Sequence, residues 1–285
     1  GVTTTDDVVW WMREKVLELK LKTWFHPTVD VQRNKKSDLY AFDGKSKYDI
    51  IQPGDLVHCD FGISYLTLNT DCQQIAYVLK PNEKQAPLFL KNALKDANKL
   101  QNILTGEFRL DKTGNEILSN SLRIAKENGL DPQIYTHPLG TFGHSAGTTI
   151  GMWDSQNGVP IKGDVLMKYN TVYAIELNNK SFISEWNKEV RIMLEEAGLF
   201  DQNGFKYING RQKEFLLINY FEKYGLGVCE RISKKLGIRT STFRFLFFYL
   251  SIFTLLLGFI LYLTFALIFK VKDLIIHRKK TAFDL

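Results

Sequence analysis

Cysteine is scarce in this sequence, with three residues in 285. Cys59, Cys72 and Cys229 are too few and too scattered for a disulfide framework or for a zinc site built from thiolates. The chain also lacks a basic and apolar leader at its start, so we expect no signal peptide. Because it opens almost directly in a helical pattern, we expect the N-terminus to be a truncation.

A broad excess of positive charge is also missing, although the formal net charge is +6. Residues 211–285 contain 13 basic and 5 acidic side chains, whereas the first 210 residues contain 24 basic and 26 acidic ones. The basic residues of the tail flank an apolar run, as they do beside membranes. We therefore expect no nucleic-acid partner. The hydrophobic fraction of 45% indicates a globular protein with a substantial core.

The hydrophobic periodicity predicts an α+β fold for the first 218 residues. Apolar residues recur at helical spacing over 4–20, and two further helical stretches cover about 83–105 and 111–128. Runs rich in β-branched and aromatic residues, broken by turns, indicate strands over 24–80 and 134–218. Strands, then helices, then strands in one domain is an α+β arrangement.

The tail, residues 219–285, differs in character. Residues 245–269 carry no charge, and a helix of that length would reach about 37 Å, enough to cross a hydrocarbon core of about 30 Å. We therefore predict a transmembrane helix at about 245–269 and a single-pass membrane protein. Because basic residues lie on both sides of the run, the charge pattern does not indicate which side of the membrane holds the first domain.

Five residues spread over the first domain are candidate metal ligands: Asp60, Asp71, His144, Glu176 and Glu195. Two adjacent antiparallel strands joined by a short turn could bring the two aspartates to one point. The histidine is flanked by glycine, which lets a backbone approach a site closely. Each acid lies in or at the end of a mostly apolar strand, where a charge is costly unless a cation compensates it.

The order of these five residues resembles the pita-bread-fold metallopeptidases, the M24-type creatinase and aminopeptidase group. Residues 54–57 (Gly-Asp-Leu-Val) lead to the first aspartate, and residues 190–192 (Val-Arg-Ile) lead to the last glutamate, as in that family. The resemblance spans residues 1–218 and is strongest to the Xaa-Pro aminopeptidases and prolidases. It implies a curved antiparallel sheet flanked by helices. The family spacing favours Glu195 over Glu196 as the last ligand.

The resemblance further implies a site for two divalent metal ions. In this family Asp71 and Glu195 would bridge the ions, Asp60 would complete one shell, and His144 and Glu176 the other. Oxygen-rich ligands with one imidazole suit Mn²⁺ best, with Co²⁺, Zn²⁺ or Fe²⁺ as alternatives. Such a pair of ions lowers the pKa of a shared water and polarises a carbonyl. The resemblance makes Glu176 the proton shuttle.

Two more histidines take roles from the same resemblance. His137 precedes the ligand histidine as a substrate-binding and catalytic histidine of the family does. His26 resembles a substrate-binding histidine ahead of the first aspartate strand, and a structural role is about equally favoured. His58 alternates with Asp60 along the strand but matches no family residue. Two departures stand out: Trp153-Asp154 occupies the place of a further catalytic histidine, and the N-terminal domain of the family is missing.

The tail has a resemblance of its own. Residues 224–238, ahead of the apolar run, are similar to a membrane domain of the phage-shock-protein-C type. Together the two parts predict a hydrolase domain at 1–218 and a membrane segment at 219–285. The expected partners are a peptide substrate and a membrane, and a homodimer is compatible with the pattern.

Several functions remain open at this point. The leading hypothesis is a metallopeptidase that cuts peptide bonds as an exopeptidase of the Xaa-Pro aminopeptidase type. A second is creatinase-like cleavage of a small amide or amidino compound. A third is a pita-bread module that binds peptides without cutting them. A fourth places the function in the tail, as a membrane-stress regulator.

Overall fold

The computed structural model describes residues 3–34, 50–81, 83–144, 147–219, 228–229, 232, 236, 240–253 and 257–275. The α-helices are α1 (Thr5–Glu18), α2 (Leu88–Gly106), α3 (Gly114–Glu127), α4 (Thr240–Phe253) and α5 (Leu257–Ile275). The strands are β1 (Lys22–Thr23), β2 (Thr28–Gln32), β3 (Leu56–Phe61), β4 (Ile63–Tyr65), β5 (Leu68–Asn69), β6 (Cys72–Val78), β7 (Asp131–Ile134), β8 (His137–Pro138), β9 (Thr171–Ile183), β10 (Lys188–Asp201), β11 (Gly204–Tyr207) and β12 (Leu216–Ile218).

One large sheet organises the domain, and its strands follow the order β2-β3-β6-β10-β9-β7 with antiparallel pairing throughout that path. The long strands β9 and β10 form its centre, β8 pairs with β9, and β11 pairs with β10. Strand β12 runs parallel to β6. A small sheet of β1, β4 and β5 lies beside it, so that β4 and β5 fill the connection between β3 and β6. The α+β prediction is confirmed.

The helices begin and pack as their sequences predict. Thr4 and Asp7 form a capping box at the start of α1, and Thr113 and Glu116 form another at the start of α3. Helix α2 buries leucine and alanine side chains in two adjacent cores that it shares with the central strands. Helix α1 packs against β2, β3 and β6 in a third core. The helices predicted at 4–20, 83–105 and 111–128 are confirmed within a few residues.

The predicted strand regions are confirmed as well, with β2 to β6 in the first and β8 to β12 in the second. Strand β1 lies just ahead of the first region, and β7 reaches the second only with its last residue. Residues 35–49, which belong to the first of these regions, lie outside the described residues. A buried ion pair joins the end of β2 to the residue before β3. Arg33 donates from Nε and Nη2 to the two carboxylate oxygens of Asp55, at 3.0 and 2.8 Å. Since only a small part of either side chain reaches solvent, this pair pins β2 to the start of β3.

The tail contains α4 and α5, which contact each other through the rings of Phe247 and Tyr262, 5.6 Å apart. Among the described residues no helix combines the length and the apolar character that a membrane span requires. The span predicted at about 245–269 is therefore not confirmed, and it includes residues 254–256, which lie outside the described part of the chain. The phage-shock-protein-C-like segment at 224–238 also falls mostly outside the described residues.

Candidate metal centre

Four adjacent strands place polar side chains in one row across the sheet. The strand register aligns Asp60 of β3 with Gln73 of β6, Gln73 with Glu195 of β10, and Glu195 with Glu176 of β9. Directly opposed residues on neighbouring strands lie within about 5.5 Å of each other, so residues from four distant stretches of sequence become neighbours. A hydrogen bond of 2.9 Å from Gln73 Nε2 to Glu176 Oε1 joins two members of the row across the intervening strand.

Asp71 joins this row from the loop just before β6, two residues ahead of Gln73. It is buried, and together with Asp60 and Glu195 it forms a group whose carboxylate oxygens lie within 4.8 Å of one another. A second group of the same kind contains His137, Glu176 and Glu195, and a third contains Asp71, His137 and His144. The five residues predicted as ligands therefore converge, and one histidine predicted for another role converges with them.

His137 lies on β8, opposite Ala174 of β9, and its side chain is fully buried. Its Nδ1 hydrogen-bonds the carbonyl oxygen of Pro138 at 3.0 Å. Its Nε2 lies 3.7 Å from Asp71 Oδ2, 3.7 Å from Glu195 Oε1 and 3.9 Å from Glu176 Oε2. Burial lowers the pKa of His137 to about 4. The imidazole is therefore neutral at physiological pH and available as a ligand.

His144 is the more exposed histidine of the cluster, and its ring lies edge-on to that of His137, with centroids 4.4 Å apart. Its Nε2 lies 3.4 Å from Asp71 Oδ2, and 44% of its side chain is exposed. The imidazole packs edge-on against Trp24, with ring centroids 4.8 Å apart. The preceding Gly143 has φ +58, and a Cβ there would overlap the Trp24 ring. Glycine at this position therefore permits the close approach that brings the histidine to the site.

The carboxylates of the cluster are too crowded to ionise together without a cation. Burial, and then the neighbouring Asp71, raises the pKa of Asp60 to about 7. Burial, with Asp60 and Asp71 nearby, raises the pKa of Glu176 to about 8. Burial and the adjacent Glu176 raise the pKa of Glu195 well above its usual value. A divalent ion among these oxygens would reverse all three effects, because it favours the ionised form.

Unsatisfied buried atoms mark where such ions would lie. Asp60 Oδ1, Glu195 Oε1 and His137 Nε2 are all shielded from solvent and have no hydrogen-bond partner. Buried polar atoms without partners are rare in folded proteins, and each one calls for an explanation. Carboxylate and imidazole donors in this proportion suit Mn²⁺, Co²⁺, Fe²⁺ or Zn²⁺. The residues present therefore fit a divalent metal site.

Glu196 contrasts with its neighbour Glu195. It lies on the opposite face of β10, where it accepts hydrogen bonds from the Gln101 side chain and from the backbone N–H of Gln212, the latter at 2.7 Å. All of its bonds therefore serve the packing of α2 and the segment before β12. Glu195 has the free oxygen and the neighbouring acids. This geometry agrees with the assignment of Glu195 as the ligand.

A cavity of about 200 Å³ opens beside the cluster. Asp60, Glu176 and His58 form part of its wall, and His58 Nε2 lies 2.9 Å from Gln73 Oε1, which links it through Gln73 to Glu176. The remaining wall mixes polar and apolar side chains: Gln133, Tyr135, Trp153, Leu177, Asn178, Arg191 and Met193. The cavity can therefore hold a small, amphipathic molecule with one atom against the candidate ligands.

Sequence reasoning missed Gln73, which joins the row of polar side chains. Gln73 carries a signal that could have found it, since it alternates with Asp71 and so shares its face of the strand. Trp153, in the place of a family histidine, lies at the rim of the cavity and is largely exposed. His26 is exposed and lies 3.2 Å from Arg13 Nη1 of α1, outside the three ligand groups. Its substrate-binding role stays a prediction.

Comparison with known proteins now identifies the family, because the family model for metallopeptidase family M24 matches residues 1–199. The chain belongs to metallopeptidase family M24. A search of curated proteins gives no significant match. The pita-bread α+β fold is therefore confirmed, and members of the family use divalent metal ions. The assignment of the five individual ligands stays a prediction.

Several solved structures share the fold of this chain. A dipeptidase from Pyrococcus horikoshii OT3 and an X-Pro aminopeptidase from Thermotoga maritima MSB8 each match with a TM-score of 0.55 and 14% identity, over 76% of this chain and 55% of theirs. The N-terminal domain of the FACT complex subunit SPT16 from chickpea matches with a TM-score of 0.53 and 10% identity, over 74% of this chain and 50% of its own. At these identities the likeness shows the fold alone. This M24 chain spans about half the length of these structures.

Proposed function

We propose that this M24 chain is a metal-dependent exopeptidase that removes the N-terminal residue of short peptides, with Xaa-Pro bonds as its preferred substrates. The observation that carries the proposal is the convergence of buried, partnerless ligand atoms beside a cavity that fits about one or two residues. Two divalent ions bound there, Mn²⁺ by preference, would activate a water and polarise the scissile carbonyl.

The cavity wall supplies the contacts that such a peptide needs. Trp153 and Met193 offer apolar surface for a side chain or a proline ring, and the Tyr135 hydroxyl is a donor for a peptide carbonyl. Burial, with Glu176 nearby, raises the pKa of Tyr135 to about 12, so the phenol keeps its proton at neutral pH. Short peptides are favoured over large proteins because the cavity, at about 200 Å³, is small.

Glu176 is positioned to move the proton of the reaction. It belongs both to the ligand cluster and to the cavity wall, and Gln73 holds one of its oxygens at 2.9 Å. A carboxylate in this place can accept a proton from the attacking water and deliver it to the leaving amine. His137 belongs to the ligand cluster but not to the cavity wall, so Glu176 is the residue that faces the substrate.

The test uses the full chain after treatment with EDTA. Elemental analysis after reloading is expected to show about two Mn²⁺ per chain, and hydrolysis of Xaa-Pro peptides is expected only in the reloaded protein. Matched Xaa-Ala peptides measure the preference for proline. Asp71→Asn is expected to lose both metal and turnover, because it removes a buried ligand shared by two of the three groups.

Asp111→Asn is the matched control, since Asp111 is an exposed turn residue between α2 and α3. It should retain both ions and full turnover. Stoichiometric metal in Asp71→Asn would contradict the ligand assignment. Two bound ions without hydrolysis of any peptide would contradict the exopeptidase and favour a peptide-binding module. Equal rates on Xaa-Pro and Xaa-Ala substrates would remove the proline preference alone.

The tail supports a separate proposal about location, which is attachment of the chain to a membrane. Large apolar side chains on both helices are exposed, among them Phe245, Phe248, Ile260 and Ile268. In the sequence, lysine and arginine residues flank this region, and anionic lipid headgroups attract such residues. The full chain is expected to float with vesicles containing anionic lipid, and Phe245→Asp/Phe248→Asp should weaken flotation. Equal recovery of both proteins in the vesicle-free fraction would contradict attachment.

A further inference from the structure

His137 has a fixed orientation in which one ring nitrogen is committed to the backbone. The carbonyl oxygen of Pro138 can only accept a hydrogen bond, so Nδ1, at 3.0 Å, carries the proton and donates it. In the neutral ring Nε2 then bears a lone pair. Pairing of β8 with β9 at His137 and Ala174 fixes the backbone from which the ring extends, and the Pro138 bond and full burial hold the ring itself.

Three carboxylate oxygens lie within 4 Å of Nε2, and the His144 ring packs beside them, with its centroid 4.4 Å from that of His137. The oxygens belong to Asp71 at 3.7 Å, Glu195 at 3.7 Å and Glu176 at 3.9 Å, and Nε2 has no hydrogen-bond partner. At these separations no hydrogen bond forms, so the buried lone pair is left unsatisfied unless a cation lies between it and the carboxylate oxygens. Two ligand atoms that share an ion at about 2.1 Å lie about 3–4.2 Å apart, and the observed separations fall in that range.

His144 does not offer the same arrangement. Its side chain is 44% exposed, and its distance of 3.4 Å to Asp71 Oδ2 links it to one acid of the cluster. His137, in contrast, belongs to two of the three ligand groups and is fully buried. The imidazole that is held rigidly among the carboxylates is therefore the one predicted from the sequence to bind substrate.

We propose that His137 is a metal ligand through Nε2, binding the ion that it shares with Glu176 and Glu195. The site would then have two imidazoles, the buried His137 and the more exposed His144. This inference rests on the proposed function, since it requires that the cluster bind metal. It changes the role of His137 from contact with the peptide to coordination, and it leaves proton transfer to Glu176 alone.

The first experiment measures Mn²⁺ binding to the metal-free full chain by isothermal titration calorimetry. His137→Gln is expected to lower the affinity for one of the two Mn²⁺ ions by at least about 100-fold. Residues that only hydrogen-bond to a ligand change metal affinity by about 10–100-fold, so a larger loss indicates direct coordination. His26→Gln is the matched control, because His26 is exposed and outside the ligand groups. It should change neither affinity. A smaller loss in His137→Gln overturns the proposal.

The second experiment needs no variant and so does not depend on whether His137→Gln folds. In wild-type protein with ¹⁵N-labelled histidine and ¹¹³Cd²⁺, a ligand nitrogen shows scalar coupling to the metal. Coupling is expected at His137 Nε2, with its Nδ1 protonated. Cd²⁺ bound without coupling at His137 overturns this inference and leaves the proposed function intact. Failure of both Mn²⁺ and Cd²⁺ to bind overturns the metal site itself, and with it both proposals.

Discussion

Replacing Asp60 by asparagine should have opposite effects on the metal-free and the metal-loaded protein. In the metal-free state Asp60 is a carboxyl group buried next to Asp71, and one of its oxygens has no partner. Asparagine has the same shape but cannot ionise. The substitution therefore removes an electrostatic cost from the metal-free protein and removes a ligand from the loaded one.

The magnitude follows from the pKa of Asp60, which rises from 3.8 to about 7 in the folded chain. Each unit by which the pKa differs between the folded and unfolded states corresponds to about 1.4 kcal/mol of stability. At pH 7.5 the ionisation of Asp60 therefore opposes folding by at most about 4 kcal/mol, and partial solvent access reduces this figure. Asp60→Asn should raise the free energy of unfolding of the metal-free protein by about 1–4 kcal/mol.

The pH dependence has a definite sign. Between about pH 4 and pH 7 the folded state holds a proton on Asp60 that the unfolded state has released, so wild-type stability falls as the pH rises through this window. Below about pH 4 both states are protonated and the two proteins should be equally stable. The stabilising effect of Asp60→Asn should therefore grow from pH 4 to pH 7 and then level off.

Urea denaturation in EDTA and in excess Mn²⁺ at pH 4.5, 6.0 and 7.5 measures both effects. Excess Mn²⁺ at about 100 times its dissociation constant should stabilise the wild type by about 2.7 kcal/mol per ion and the variant by much less. In EDTA the variant should therefore be more stable than the wild type, and Mn²⁺ should raise its free energy of unfolding by less. Asp111→Asn is the control for a generic loss of charge. A variant less stable than wild type in EDTA at pH 7.5 would refute the reasoning.

Four further substitutions probe the site and its scaffold. Glu195→Gln should weaken Mn²⁺ binding by at least about 100-fold, as calorimetry measures. Glu196→Gln should change Mn²⁺ binding by less than about 3-fold, and the loss of its hydrogen bonds should lower the free energy of unfolding in urea by about 1–3 kcal/mol. Arg33→Met removes the guanidinium that donates to both oxygens of the buried Asp55 carboxylate, to which the N–H of Gln52 still donates, and should cost about 3–5 kcal/mol in urea denaturation. Gly62→Ala places a Cβ against a tryptophan ring and a backbone carbonyl, so a melting temperature unchanged from wild type would contradict the close packing beside Asp60.

Much of the fold could be predicted because its elements carry local signals. Helices α1 and α3 have capping boxes that occupy three or four residues of sequence, and Asn128 and Gly129 mark the end of α3. The small sheet of β1, β4 and β5 could not be predicted in this way, since two- and three-residue strands are too short for a period. Strand β8 has the same difficulty, because His137 and Pro138 become a strand only by pairing with β9.

The candidate site was predictable as a set of residues but not as an arrangement. Spacing within the chain and family order identified Asp60 and Asp71, and the register of β3 and β6 explains why ten intervening residues suit them. Sequence could not assign His137 and His144 to their places. The distances that separate a ligand from a substrate contact depend on how β8 docks on β9. The uncharged run at 245–269 also predicted a single long span in the tail, which the described helices do not confirm.

The site is assembled by strand register, and this has a consequence for how folding and metal binding are coupled. Backbone pairing of β3, β6, β10 and β9 holds Asp60, Glu195 and Glu176 in one row whether or not they are charged. The core on the other face of these strands therefore has to stabilise the chain against the repulsion of the acids until a cation arrives. Since that repulsion is local to the row, loss of metal should loosen the strand ends around it before the helices that pack behind. Amide hydrogen exchange in EDTA should accordingly rise first at Gln73 and its neighbours and last in α2.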